Sequence, residues 1–388
     1  MKKRSLLLTC SFVIPLFFLL LNLPFLANGE ETKPAPAAAK EEVKPIADGT
    51  YKADGSVKAD GSLTAAAKEE VKPVVADEGK ELPFRAIPNI PKAAESYFSP
   101  DNKSVICQAQ MPGDSGIENN SYHAYTINID GTNVRRINNK GEDACNYFCP
   151  DGKHIVWTST KDNLDMPRGN WSNAKDYPQG AELYMSDLDG KNEKRLTNNK
   201  YYDAEVTVSP DGKWILFGRQ IDGKMDLWKM KSDGTGETQI SHTPDWQEGG
   251  ANYMPDSKII LYRAWKKEDD DKRAKVMQVF TIKDDGTDMK QITHEEGTNW
   301  APFPHPDGKH FAFVKVLPAK THPGPNFEIY MMNLETGKQT RMTYNDGFDG
   351  FPSISPDGKM MMFSSSRNAP PGERTLSLFI MDISQFKD

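Results

Sequence analysis

Seven residues ahead of each of five recurring prolines stands a carboxylate or an amide. Asp143, Asp203, Glu248, Asn299 and Asp349 precede Pro150, Pro210, Pro255, Pro306 and Pro356, while Ala93 holds that offset from a sixth, Pro100. Glu95, Glu142 and Glu205 lie close by in the chain. Carboxylates that converge repel one another, so a ring of them would suit a cation: Ca²⁺, or the Lys, Arg or N-terminal amine of a partner. Asp203 and Asp349 are the expected ligands of such a Ca²⁺. The alternative is that each acid caps a local turn through its own side chain.

A second group sits in the segment Lys161–Gly180, where Arg168, Trp171 and Tyr177 are residue types that dominate protein interfaces. The same aromatics would be buried if the segment folded back on its neighbours. The charged run from Lys266 to Arg273 reads as a solvated turn. Catalytic chemistry finds little support. The string Gly113-Asp114-Ser115-Gly116 echoes serine proteases but stands alone, and His123, His154, His242, His294, His305, His310 and His322 scatter without metal-ligand spacing. Apart from a Ca²⁺ at Asp203 and Asp349, no metal centre, haem motif or catalytic residue set is expected. Cys145 and Cys149 are about 13 Å apart on an extended strand, too far to bridge. Cys107 either pairs with one of them or all three are buried free thiols.

The elements that must position these groups repeat. Residues 203–240 contain two hairpins, turned at Ser209-Pro210-Asp211-Gly212 and at Ser232-Asp233-Gly234, between β-branched and aromatic runs. Pro sets φ for the first turn and Gly accepts positive φ. The Pro-Asp core recurs six times, with prolines 50, 60, 45, 51 and 50 residues apart. A period near 50 with four strands per period predicts an all-β, six-bladed β-propeller of four-stranded antiparallel blades. The last copy runs out after a third strand, so residues 81–88 are expected to complete blade 6. In such blades the Pro-Asp-Gly and Asp-Gly turns share one smooth face. The longer insertions share the other, which is the expected binding face.

Ahead of the repeat, Met1-Lys2-Lys3-Arg4, an apolar run to Leu26 and small residues at Ala27 and Gly29 predict a secretory signal peptide over residues 1–29. The run is also long enough for an uncleaved anchor. Residues 30–80 are Ala-, Lys-, Glu- and Pro-rich, with too few apolar side chains to build a core, and read as a disordered tether. The propeller is assigned to residues 81–388, and the localisation to the periplasm or another extracytoplasmic space. A net charge of −7 argues against nucleic-acid binding.

The run of apolar strand, Ser-Pro-Asp-Gly-Lys and aromatic strand, followed by Leu183-Tyr184 through Asp189-Gly190 and Arg195-Leu196-Thr197, is similar to the repeat of TolB-type propellers. Gln291-Ile292-Thr293 and Phe363–Asn368 carry the same likeness, which spans about residues 90–388. TolB has a small α/β domain ahead of its propeller, where this chain has the tether. The resemblance implies the fold and an extracytoplasmic, protein-binding habit. The expected function is that of a non-catalytic binding or scaffold propeller engaging another extracytoplasmic protein or complex, either as a Tol-like envelope partner or as an assembly subunit. The competing expectation is a carbohydrate-active or metal-dependent enzyme resembling the oligogalacturonate lyases, which use a TolB-like propeller.

Overall fold

The computed structural model describes residues 81–112, 121–272, 275–370, 373 and 375–387. The expected signal peptide and tether lie outside the described residues, as do Gly113–Gly116 and Arg273. Among the described residues no helix is long and apolar enough to cross a membrane.

Six four-stranded sheets form, each ordered as its strands follow in sequence apart from the last. The first strands of neighbouring sheets contact one another around a closed ring, as six blades about one axis require. Blade 3 shows the unit most plainly, with strands Tyr202–Val208, Trp214–Ile221, Lys224–Lys231 and Thr238–Gln239. Its first turn is built as the residue types dictate. Ser209 Oγ donates to Asp211 Oδ1 (2.7 Å) and accepts from Trp214 N–H, while Gly212 takes φ of 72°. Blades 1 and 6 repeat the Ser–Asp bond at Ser99–Asp101 and Ser355–Asp357. The connection between the second and third strands of blade 3 is short. Its strands pair down to Ile221 and Lys224, so only Asp222-Gly223 turns the chain, both at positive φ.

Side chains between adjacent blades supply the core. Leu216 and Leu227 of blade 3 pack with Tyr262 and Phe280 of blade 4, and Phe148, Trp157 and Tyr184 of blade 2 pack with Ile106 of blade 1. Each fully buried side chain of this size contributes about 2–3 kcal/mol, and no blade can bury both faces alone.

The ring closes as its sequence predicts. Phe84–Ala86 pairs antiparallel with Ser377–Asp382 and becomes the outer strand of blade 6. Phe84 packs edge-on against Phe363 and Phe379. Arg367 bonds Glu81 on one side (3.0 and 3.2 Å) and Asp349 on the other, tying the closing segment to the innermost strand of its blade.

Candidate functional site

Every innermost strand carries one extra residue. Its pairing with the second strand slips between Ala94 and Ser96 in blade 1, and at the matching place in the other five. The extra residue stands five positions before the repeat proline and takes positive φ in all six blades: Glu95, Cys145, Glu205, Gly250, Ala301 and Phe351, at 47° to 57°. Five of the six are not glycine, and left-handed backbone at such residues costs about 1 kcal/mol each. A bulge re-aims its side chain. Here all six residues line one cavity of about 450 Å³, which runs into the central channel from the loop-rich face.

The cavity is two-sided. Blades 1 to 3 put Glu95, Cys145 and Glu205 into it, and blades 5 and 6 put Ala301 and Phe351. Blade 4 contributes Gly250, whose missing side chain makes room for a charge, since a Cβ there would overlap Nη1 of Arg263. Arg263 reaches Glu205 Oε1 at 2.6 Å, so these two charges cancel locally. Glu95 has weaker company: the Tyr97 hydroxyl at 3.3 Å and the Cys145 thiol at 3.8 Å. Burial, reinforced by the nearby Glu205 carboxylate, raises the Glu95 pKa to about 7. Burial likewise pushes the Tyr97 hydroxyl and the Cys145 thiol well above their ordinary values, so both are neutral donors. The opposite wall is aromatic, with Trp300 set edge-on to Phe351 at 4.7 Å and flanked by Phe348.

The ring expected two positions earlier is elsewhere. Asp143, Asp203, Glu248, Asn299 and Asp349 are at most 1% exposed, and none lines the cavity. Each is engaged by neighbouring strands or crossovers. Asp203 takes Arg219 through both oxygens (2.7 and 2.8 Å), and Asp349 takes Arg367 and Asn345. Asp143 accepts Ala124 N–H and the Asn138 amide. Glu248 accepts the Ser241 and Thr243 hydroxyls, and Asn299 donates to Gln278 Oε1. Most of these are cross-strand contacts rather than caps of a local turn, and the expected convergence of the five side chains at the channel mouth is corrected. Asp203 and Asp349 are already neutralised by arginine, and Asp349 is held above its ordinary pKa by burial despite Arg367. Among the described residues no group of His, Cys, Asp and Glu has metal-holding geometry.

The blade-2 insertion folds over the rim. Arg168 and Trp171 Nε1 both bond the Glu142 carboxylate, and Tyr177 is buried, stacked on Tyr202 of blade 3 at 4.3 Å. Of the three, Trp171 and Tyr177 line the cavity. The run after Lys266 is not a free solvated turn. It makes a short 3₁₀ turn over Lys267–Asp269, and Asp270 then accepts the Trp265 indole (2.7 Å) and the Gln247 amide (2.9 Å). Lys175 pairs with Asp271, so the insertions of blades 2 and 4 meet above blade 3, the blade with none of its own.

The remaining groups stay apart. Cys107, Cys145 and Cys149 are buried free thiols, which excludes the disulfide alternative. His154, His305 and His310 bond Asp151 and Asp307 at the first turns of blades 2 and 5, on the face away from the insertions. Sequence reasoning named Glu95 and Glu205 only as neighbours of the acidic series, and missed the bulge and its other four residues. Their one sequence signal is variety: the offset of seven is nearly constant in type across repeats, whereas the offset of five runs Glu, Cys, Glu, Gly, Ala, Phe.

No family model matches the chain. In sequence it is 26% identical over 279 residues to dipeptidyl-peptidase 5 of Porphyromonas endodontalis, covering 60% of this chain and 38% of that protein. It is 23% identical over 165 residues to a TolB homolog of Chlorobium luteolum, covering 41% of this chain and 33% of the other. The chain thus spans well under two thirds of the length of these relatives. In structure it resembles TolB from Acinetobacter baumannii, with a TM-score of 0.51 at 18% identity over 75% of this chain and 63% of that one. It resembles oligogalacturonate lyase from Vibrio parahaemolyticus with a TM-score of 0.52 at 12% identity, over 81% and 97%. With six closed blades, the Pro-Asp-Gly repeat and these likenesses in hand, the chain has the fold of a TolB-type six-bladed β-propeller.

Proposed function

We propose that this chain is a non-catalytic, extracytoplasmic propeller that binds another protein through its loop-rich face and channel mouth. One observation carries the reading. The insertions of blades 2 and 4 are not loose. The blade-2 insertion packs on blade 3, the blade-4 insertion is anchored to its own blade, and the two pair through Lys175 and Asp271, and so build a walled entrance to a two-sided cavity. Ordered loops on a rigid scaffold are where propellers place recognition. The likeness to TolB homologs supports an extracytoplasmic setting. The competing reading, a carbohydrate-active or metal-dependent enzyme like the lyase, draws on the shared fold.

The test is site-specific photocrosslinking in the native cell. A photoreactive residue replaces Lys175 or Lys272 on the rim, or Lys153 or Lys359 at the turns of the smooth face. The expected result is one discrete protein adduct from the rim positions and none from the turns. Equal labelling from both faces, or turnover of a polysaccharide by the purified chain without any adduct, would overturn the proposal.

A further inference from the structure

The channel cavity has a chemical preference of its own. Its Glu95 carboxylate is only 9% exposed, and no Lys or Arg pairs with it among the described residues, because Arg263 is committed to Glu205. A buried carboxylate without a cation is costly. Asn252, 7% exposed and also lining the cavity, has no donor for its Oδ1. Two acceptors thus face the cavity from blades 1 and 4, and the facing wall is Trp300, Phe351 and Phe348. Aromatic faces attract cations and bury apolar surface at once.

We infer that the cavity is a binding site for an organic monocation, an ammonium or guanidinium group on an aromatic or branched apolar body. The charged end sits against Glu95, with Asn252 as a further acceptor, and the body packs on Trp300 and Phe351. The inference rests on the loop-rich face being the binding face. The cation comes either from a free small molecule or from a basic side chain of a bound protein, since both present the same chemistry. The groups facing Glu95 are Tyr97 on its own strand, Cys145 of blade 2, Glu205 of blade 3 and Arg263 of blade 4; farther out the cavity is lined by Lys175, Lys272 and Lys275, the first two paired with Asp271 and Asp269 and the third bonded to the Lys272 carbonyl. Tyr97 and Cys145 are neutral donors and Glu205 is paired with Arg263, which leaves Glu95 as the group that titrates near neutrality.

Calorimetric titration of the full chain with phenethylammonium tests this, with neutral phenethyl alcohol and an N-acetylated, C-amidated Arg-Trp dipeptide as the other probes. The ammonium should bind at least tenfold more tightly than the alcohol. Its affinity should rise about tenfold from pH 6 to pH 8 as Glu95 loses its proton, and Glu95→Gln should abolish both effects. A tighter dipeptide assigns the cation to a protein side chain, and a tighter ammonium to a free molecule. Equal binding of ammonium and alcohol, binding of none of the probes at about 10 mM, or unchanged cation binding in Glu95→Gln would overturn the inference. If Glu95→Gln does not fold, the wild-type pH profile and the ammonium-to-alcohol ratio decide it. Rim adducts that persist in Glu95→Gln, together with the absence of cation binding, would sink this inference and leave the protein-binding reading standing. Cation binding without adducts would do the reverse.

Discussion

Two rings of side chains, one of five residues and one of six, lie two residues apart on the innermost strands and behave oppositely. The first ring, Asp143 to Asp349 in five of the blades, is nearly uniform in type, buried, and held by arginines, hydroxyls and amides of its surroundings, with Asn299 Oδ1 left without a donor. The ring at the bulges, Glu95 to Phe351, differs from blade to blade, holds strained backbone and lines the cavity. Repetition marks what the fold requires of every blade, and departure from it marks what this particular molecule has added.

The largest way to break the contrast is Arg219→Ala. It strips both guanidinium hydrogen bonds from buried Asp203, leaving it only the Asn199 amide and no cation, and one from Glu237. A buried carboxylate left without its partner should cost about 3–5 kcal/mol, read as a lower denaturant midpoint at unchanged slope.

Glu95→Gln should act in the other direction. A carboxyl group whose pKa rises on folding from 4.5 to about 7 binds more protons in the folded state. Its contribution to stability is therefore favourable at low pH and lost as pH rises from 4.5 through 7, by about 3 kcal/mol in all. Removing it should raise stability at pH 8 relative to pH 5, measured as the difference between wild-type and variant unfolding curves. Glu248 is also raised to about 7 by burial, but the Ser241 and Thr243 hydroxyls hold it, so Glu248→Gln should disturb packing as well as charge.

Gly250→Ala asks a finer question. The new methyl would displace Arg263 from the place the missing side chain leaves, at a residue already at φ of 57°. About 1–3 kcal/mol should be lost, with Glu205 freed of its partner and the cavity more acidic. The smallest effect belongs to the rim. Lys175→Ala breaks an exposed pair with Asp271 and should change stability by less than about 0.5 kcal/mol, while altering whatever docks there.

Much of the architecture was legible. Six Pro-Asp turns at a period near 50 give the blade number, and a last repeat lacking its fourth strand points to residues 81–88, within which Phe84–Ala86 makes the closure. Strand order alone sorts the turns from the insertions. The site was less legible because it depends on a break in the period of two. Alternation along a strand puts Asp203 and Glu205 on the same face, and only the slip between Ala204 and Thr207 separates them. The packing of Tyr177 on Tyr202 and the anchoring of Asp270 by Trp265 are contacts between distant segments, which composition does not encode.

The account turns on an unpaired carboxylate held inside the channel. Carbon-13 NMR titration of the glutamate carboxyls in the wild-type chain and in Glu95→Gln measures it directly. The resonance lost in the variant should titrate near pH 7 in the free protein. If that resonance titrates near 4.5, Glu95 is solvated or paired, and the channel has no charge waiting for a ligand.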